Sequence, residues 1–232
     1  MRRDDSDNFD LETTAPLPAS AQDVIAAIDS VLTDERRERI LQVVASRSRA
    51  VTAVLDGLID PHNVSAVLRS ADAFGVEQVH LIERPEPFRA SPRVSRGAYR
   101  WVRVVRHDSA EACVSALRAH GHRIFVAAVD GKVRPQALAD EPRPALVFGN
   151  EHAGASDAMR ALADGTFSIP MSGFVQSLNV SVAAAVSLFS AMQGRAGDLE
   201  ERAALDLRAR YCMQSVPQAE AIVADYLRRQ GR

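Results

Sequence analysis

Arg69 is the first residue in this chain whose surroundings suggest chemistry. It closes the run Asn63-Val-Ser-Ala-Val-Leu-Arg69, with apolar Val67 and Leu68 beside it, on what reads as a short helix. That setting predicts a partly covered guanidinium. Arginine keeps its proton under ordinary conditions, so a covered one needs an anion close by. Asp72, three residues along the helix, can be that anion; the functional alternative is a phosphate or a developing alkoxide. Glu151 is the second candidate. In Phe-Gly-Asn-Glu-His-Ala-Gly it is bracketed by Gly149 and Gly154. This spacing lets main chain pass close to a ligand while one carboxylate points inward, although a plain structural turn has the same spelling. The third candidate is Gln176-Ser177-Leu178-Asn179, which offers hydroxyl, amide and free N–H groups at the start of a helix. That helix is rich in small residues (Ser181, Ala183, Ala184, Ala185, Ser187), as close approach of another backbone requires.

The elements that must position these groups alternate between strand and helix. Val51–Ile59 reads as a strand, and Asp60-Pro61-His62 as a turn. Asn63 is placed as N-cap of a helix from Val64 to Phe74, closed by Gly75. Strands follow at Val76–Glu83, Trp101–Arg106, Ile124–Val129 and Ala145–Phe148. Between them lie a Pro- and Arg-rich loop from Arg84 to Arg100 and a helix from Ser109 to Gly121. Ser156 caps a short helix, and Phe167–Met171 reads as a last strand before the polar turn. Such alternation implies an α/β fold with a mostly parallel sheet covered by helices. In open parallel sheets the ligand crevice lies beyond the carboxyl ends of the strands. The loops Asp60–Asn63, Gly149–Gly154 and Met171–Asn179 all emerge there.

Four segments follow from this reading: a disordered acidic tail over 1–19, a helical arm over 20–50, an α/β domain over 51–195 and a helical extension over 196–232. In the arm, Ser20 can cap one helix and Thr33 or Asp34 a second. Arg36, Arg37 and Arg39, continued by Arg47 and Arg49, read as a basic surface, or simply as a solvated helix face. The extension carries one helical pattern from Asp198 and another near Pro217.

Composition narrows the classes. The 47% hydrophobic and 25% charged fractions are those of a soluble globular protein. No apolar run approaches the roughly 20 residues of a membrane span, and there is no signal-peptide pattern at the N-terminus. Cys113 and Cys212 are far apart in helical patterns, which argues against a metal motif and a disulfide framework and favours a reducing cytoplasm. No phosphate loop and no Gly-x-Gly-x-x-Gly after the first strand is present, which counts against a dinucleotide site. Lys132 is the only lysine. The arginine bias fits a GC-rich genome as well as phosphate recognition.

Three stretches together carry a family resemblance: Asn63-Val-Ser-Ala-Val-Leu-Arg69-Ser-Ala-Asp-Ala-Phe-Gly, Leu146-Val-Phe-Gly-Asn-Glu151-His-Ala-Gly, and Ile169-Pro-Met-Ser-Gly-Phe-Val-Gln-Ser177-Leu-Asn179-Val-Ser-Val-Ala. In order and spacing they resemble the three motifs of the SpoU ribose methyltransferases, within the SPOUT superfamily. Ser95–Arg103 is similar to the segment between the first two motifs, and the match spans roughly residues 50 to 195. The flanks most resemble those of the members that act on tRNA. His152-Ala153 departs from the pattern of those members, and this bears on substrate positioning.

The resemblance implies transfer of a methyl group from S-adenosyl-L-methionine to a ribose 2′-hydroxyl of tRNA, with a D-loop guanosine as the leading target. It also implies a C-terminal trefoil knot, a homodimer whose site draws on both subunits, and no metal in the transfer. By position, Ala127, Gly149, Ile169 and Leu178 would hold the cofactor largely through backbone atoms. Arg69, Asn63, Glu151, Ser177 and Asn179 would form the catalytic group. Since a guanidinium pKa lies above about 12, gripping phosphate and stabilising an alkoxide asks less of Arg69 than acting as a base. Methylation of ribosomal RNA, and a non-catalytic RNA-binding dimer of the same fold, are the alternatives.

Overall fold

The computed structural model describes residues 16–82 and 100–231. It divides into two compact units, Arg49–Gly194 and a second made of Thr14–Ser48 with Arg195–Arg232. The acidic tail over 1–15 and most of the Pro- and Arg-rich loop lie outside the described residues.

The first unit is built on six parallel strands: β1 (Thr52–Asp56), β2 (Gln78–Ile82), β3 (Arg103–His107), β4 (Arg123–Ala127), β5 (Pro144–Gly149) and β6 (Gly165–Phe167), in the spatial order β3-β2-β1-β5-β4-β6. The central strands β1 and β5 are mostly apolar and buried on both faces, as a covered parallel sheet requires, while the edge strands β3 and β6 are only partly buried. Alternation along each strand sends side chains to two cores. Ala53, Leu55, Leu146, Phe148 and Phe125 join one cluster with α3 (Pro61–Ala73) and the helix Val180–Met192. Val54, Ala145, Val147, Ile124 and Val126 join another with α4 (Ala110–Ala119) and α5 (Asp157–Leu162). A 3-10 helix, Pro135–Ala139, packs Leu138 into the first cluster.

The Val180–Met192 helix, α6, shows which way its small residues face. Ala184, Ser187, Ser190 and Ala191 are buried, and α6 packs on α3 and the 3-10 helix. The outward stripe is bulky instead, with Val182, Val186 and Phe189 exposed.

Two element boundaries next to the candidate site residues differ from the sequence reading, and farther off the helix expected from Asp198 begins at Glu201. α3 begins at Pro61, and Asp60 is its N-cap, accepting from the His62 N–H at 2.8 Å. Asp60-Pro61 is a better start than Asn63-Val64, because proline at the first helical position loses no needed donor. Asn63 is thereby moved inside the first turn. The last strand stops at Phe167, so Ile169 and Met171 belong to the loop that follows; Pro170 cannot donate to a ladder.

The second unit contains α1 (Ala21–Asp29), α2 (Asp34–Ser46), α7 (Glu201–Ser215) and α8 (Ala219–Arg229). Ser20 and Thr33 cap the first two helices, each accepting a backbone N–H from three residues ahead. α1 packs on both α7 and α8, and α2 packs on α7. Much of the expected basic surface is engaged within the fold. Arg47 is fully buried, donates to the Tyr211 hydroxyl at 3.0 Å and lies against its ring. Arg37 pairs with Asp29 and Asp34, while in the first unit Arg49 pairs with Glu77. Arg39 stays exposed.

Candidate active site

The carboxyl ends of β4, β5 and β6 open into a cleft of about 900 Å³ in the first unit. Main chain shapes most of it. The loop after β4 lies against the end of β6: Ala128 N–H donates to Phe167 C=O (2.9 Å), Ser168 N–H to Val133 C=O (3.0 Å), and Ser168 Oγ–H to Gly131 C=O (2.8 Å). A Cβ on Gly131 would sit 2.1 Å from the Phe167 carbonyl carbon, so only glycine permits this contact. Gly149 is similarly confined, with a Cβ reaching 2.0 Å from Ala155 N. Ala127, Gly149, Ile169 and Leu178 all line the cleft. So do Glu151, Ser177 and Asn179.

Glu151 is aimed by its turn. Asn150 and Gly154 exchange backbone hydrogen bonds at 2.9 Å each, and Asn150 Oδ1 accepts from the N–H groups of His152 (2.9 Å) and Ala153 (3.0 Å). Asn150 Nδ2 donates to Gly57 C=O at 3.1 Å, tying the turn to the end of β1. The Ser156 N–H, donating to Asp56 Oδ2 at 2.7 Å, makes a second tie there. Asn150 was not singled out from the sequence; its position between a glycine and an acid is the only local signal. Arg134, exposed at the cleft wall, was missed as well.

The polar centre is a chain of three side chains from three distant segments. Asn179 Nδ2 donates to Asn63 Oδ1 (3.1 Å), and Asn63 Nδ2 donates to Glu151 Oε1 (2.8 Å). Asn63 is buried, and the Glu151 carboxylate fixes which end of its amide faces which partner. Asn179 is also the N-cap of α6, its Oδ1 accepting from Ser181 N–H at 2.8 Å and Ser181 Oγ–H at 2.6 Å. Ser177 has no hydrogen-bond partner among the described residues, which leaves its hydroxyl for a ligand.

Arg69 is not part of this chain. It is exposed, not covered, and it does not line the cleft. Six residues carry it about 120° around α3 from Asn63, onto the outer side of the helix. No ion pair with Asp72 forms among the described residues, so that explanation of Arg69 falls too.

With this geometry in view, the comparisons with known proteins are informative. Residues 50–189 match the SpoU rRNA Methylase family. The chain belongs to that family. Among relatives of this SpoU chain, the tRNA (guanosine(18)-2′-O)-methyltransferase of Thermus thermophilus is 38% identical over 164 residues, covering 70% of this chain and 84% of the relative. The enzyme of the same name from Escherichia coli is 35% identical over 161 residues, covering 69% and 70%. Among solved structures, the A. aeolicus TrmH/SpoU tRNA modifying enzyme superposes with a TM-score of 0.72 at 25% identity, covering 80% of this chain and 98% of its own. The SpoU methyltransferase AviRb of Streptomyces viridochromogenes, solved in complex with AdoMet, gives 0.56 at 29% identity, covering 63% and 61%.

Proposed function

We propose that this SpoU family member methylates a ribose 2′-hydroxyl of tRNA, with the D-loop guanosine at position 18 as its target. The observation that carries the proposal is the Asn179–Asn63–Glu151 chain, which joins all three family motifs at the mouth of one cleft. A binding module of the same fold has no need of a buried amide held between a carboxylate and a helix cap. The relatives named above, which act on guanosine 18 by their names, support the substrate.

The cleft fits S-adenosyl-L-methionine. Its volume suits a nucleoside-sized ligand. Gly149 and Gly131 let peptide groups stand at its wall, and the AviRb complex supports occupancy by this molecule. Ala127, Gly149, Ile169 and Leu178 would hold it through main-chain atoms and apolar contact. When bound, it supplies an electrophilic methyl group.

The remaining work falls to side chains of this chain. A 2′-hydroxyl is a weak nucleophile and needs in-line placement and relief of its proton. Ser177 and Asn179 would hydrogen-bond the ribose, and Glu151 holds Asn63 by accepting from its Nδ2. Arg69 would grip substrate phosphate and stabilise the developing alkoxide. Because Arg69 lies outside its own cleft, a second copy of the chain is the natural source of that cation. The exposed stripe Val182, Val186 and Phe189 on α6 offers that copy an apolar surface beside α3, where Phe189 already meets Phe74 with ring centroids 5.6 Å apart. We extend the family resemblance to a trefoil knot, of which the loop Met171–Leu178 would be a segment beside the cofactor. We place the enzyme in the cytoplasm, and no helix among the described residues is long and apolar enough to cross a membrane.

One observation favours a second substrate class. The 23S rRNA (guanosine-2′-O-)-methyltransferase RlmB of Xanthomonas campestris is 36% identical over 157 residues, although the match covers only 63% of it. Tritium transfer from labelled cofactor into unmodified tRNA and into ribosomal RNA, followed by nucleoside mapping, separates the two. Label confined to 2′-O-methylguanosine in the D-loop supports the proposal, and label in ribosomal RNA alone overturns it.

A further inference from the structure

Sequence spacing contains no metal motif, yet the fold gathers His80, His107 and Cys113 from β2, β3 and α4 into one cluster. One ligand atom from each residue lies within 4.8 Å of the other two. The strands place them there. Val79, Leu81 and Val104 point into the α3 core, so alternation turns His80 and His107 toward the α4 side, where Cys113 is buried. Parallel register sets His80 opposite Val105 and Ile82 opposite His107, which makes the two histidines diagonal neighbours. His80 Nδ1 and His107 Nε2 are 2.8 Å apart. The rings are 9° from parallel with centroids 5.1 Å apart. Nitrogens this close at that centroid separation mean that the rings meet edge to edge. His80 is only 5% exposed, and its Nε2 has no hydrogen-bond partner among the described residues.

We propose that His80, His107 and Cys113 form a zinc-class metal site, on the opposite side of the sheet from α3 and separate from the methyl-transfer cleft. Two imidazoles and one thiolate suit Zn²⁺, and hard cations such as Mg²⁺ prefer oxygen ligands. Burial disfavours the charged form of both rings, and neutral imidazole is the form that binds a metal. The Cys113 thiol is pushed up to about 12, chiefly by burial. The cation must therefore displace its proton: one S–H bond breaks, one S–metal bond forms, and one proton leaves to solvent. The proton between the two rings shifts to an outer ring nitrogen. His107 is only half-buried, which leaves a side from which water completes a fourth position.

The test uses the full chain, stripped with chelator and dialysed. It is titrated with ZnCl2, with bound zinc per chain and Tm recorded, and separately with CoCl2, with thiolate-to-cobalt charge-transfer absorption recorded. The expected result is one zinc per chain, a rise in Tm and a charge-transfer band. His107→Asn should lose stoichiometric zinc while circular dichroism stays native, and Cys113→Ser should lose the band. Should Cys113→Ser fail to fold, the half-buried His107 variant carries the test alone. A wild-type chain with no band and an unmoved Tm overturns the proposal. So does equal zinc binding by wild type and His107→Asn, which would point to surface histidines. None of these readouts depends on methyl transfer, so the site stands or falls apart from the proposed function.

Discussion

Asn179 donates to Asn63 across 116 positions of sequence, at 3.1 Å, while its carbonyl end caps α6. One side chain thus links the start of a helix to the polar centre of the cleft. Asn179→Ala removes the bond to Asn63 and both bonds accepted from Ser181. The cap alone is worth about 1 kcal/mol, which in a chain of this size lowers Tm by about 2–4 °C. Asn179→Asp keeps a capping oxygen but turns a carboxylate toward Asn63 Oδ1. Its Tm should stay near that of wild type while kcat for methyl transfer falls. Equal kcat in Asn179→Asp and wild type would reduce Asn179 to a cap.

Glu151→Gln preserves shape and removes the charge that Asn63 Nδ2 faces at 2.8 Å. A hydrogen bond to a charged group contributes about 1.5–3 kcal/mol. We expect kcat to fall by about tenfold to a hundredfold with KM for the cofactor little changed, measured by single-turnover tritium transfer. A fall in cofactor affinity without loss of kcat would move Glu151 from positioning to binding.

Arg69 is exposed and has no partner among the described residues. Arg69→Ala should change unfolding free energy by no more than about 0.5 kcal/mol, yet abolish methyl transfer. Arg69→Lys should not restore it, because a point charge lacks the planar fork that grips phosphate. On the proposed dimer, mixing the Arg69→Ala and Glu151→Ala chains should recover part of the activity, since a mixed dimer would rebuild one complete site. No recovery after subunit exchange, verified by native mass spectrometry, would place Arg69 in its own chain's cleft.

Two glycines of the cleft should respond in opposite ways. Gly149→Ala drives a Cβ into main chain at Gly154 and Ala155, so we expect insoluble protein or a Tm lowered by many degrees. Gly173→Ala meets nothing within 4 Å and should leave Tm unchanged in calorimetry.

The thiols give a pH prediction. Burial raises the pKa of both Cys113 and Cys212, and both are free and buried. In chelator, neither should react with iodoacetamide near neutral pH until denaturant is added, when both should. Since both folded values lie above the unfolded value, the contribution to stability is complete below about pH 8.5 and declines as pH rises beyond it. Denaturant midpoints measured from pH 8 to pH 10 check the sign.

The sheet was legible because strand alternation and helix caps are local signals. Ser20, Thr33, Ser109 and Ser156 each cap the helix that the sequence assigned to them. The Asn63 cap was misread because Asp60-Pro61 competes for the same turn three residues earlier, and local propensity alone does not rank the two. Asn63, Glu151 and Asn179 were named through motif spelling, but their mutual hydrogen bonds depend on how strands return to one end of the sheet. Arg69 was misplaced because apolar neighbours in sequence sit on another side of a helix: Val67 and Leu68 are buried while Arg69 faces out. His80, His107 and Cys113 were invisible as a group, since parallel strands bring together residues whose spacing follows no motif. Arg47 read as surface charge because nothing local announces its partner, Tyr211, 164 positions away.

The four-helix unit takes two helices from each end of the chain, α1 and α2 from one and α7 and α8 from the other. During synthesis, α1 and α2 therefore cannot meet the helices they pack on until the whole α/β unit between them has been made. The α/β unit between them has all its strands available earlier. A closing step therefore joins α1 and α2 to helices made after the whole α/β unit, and a product truncated before α7 would retain the cleft but leave α1 and α2 without the helices they pack on.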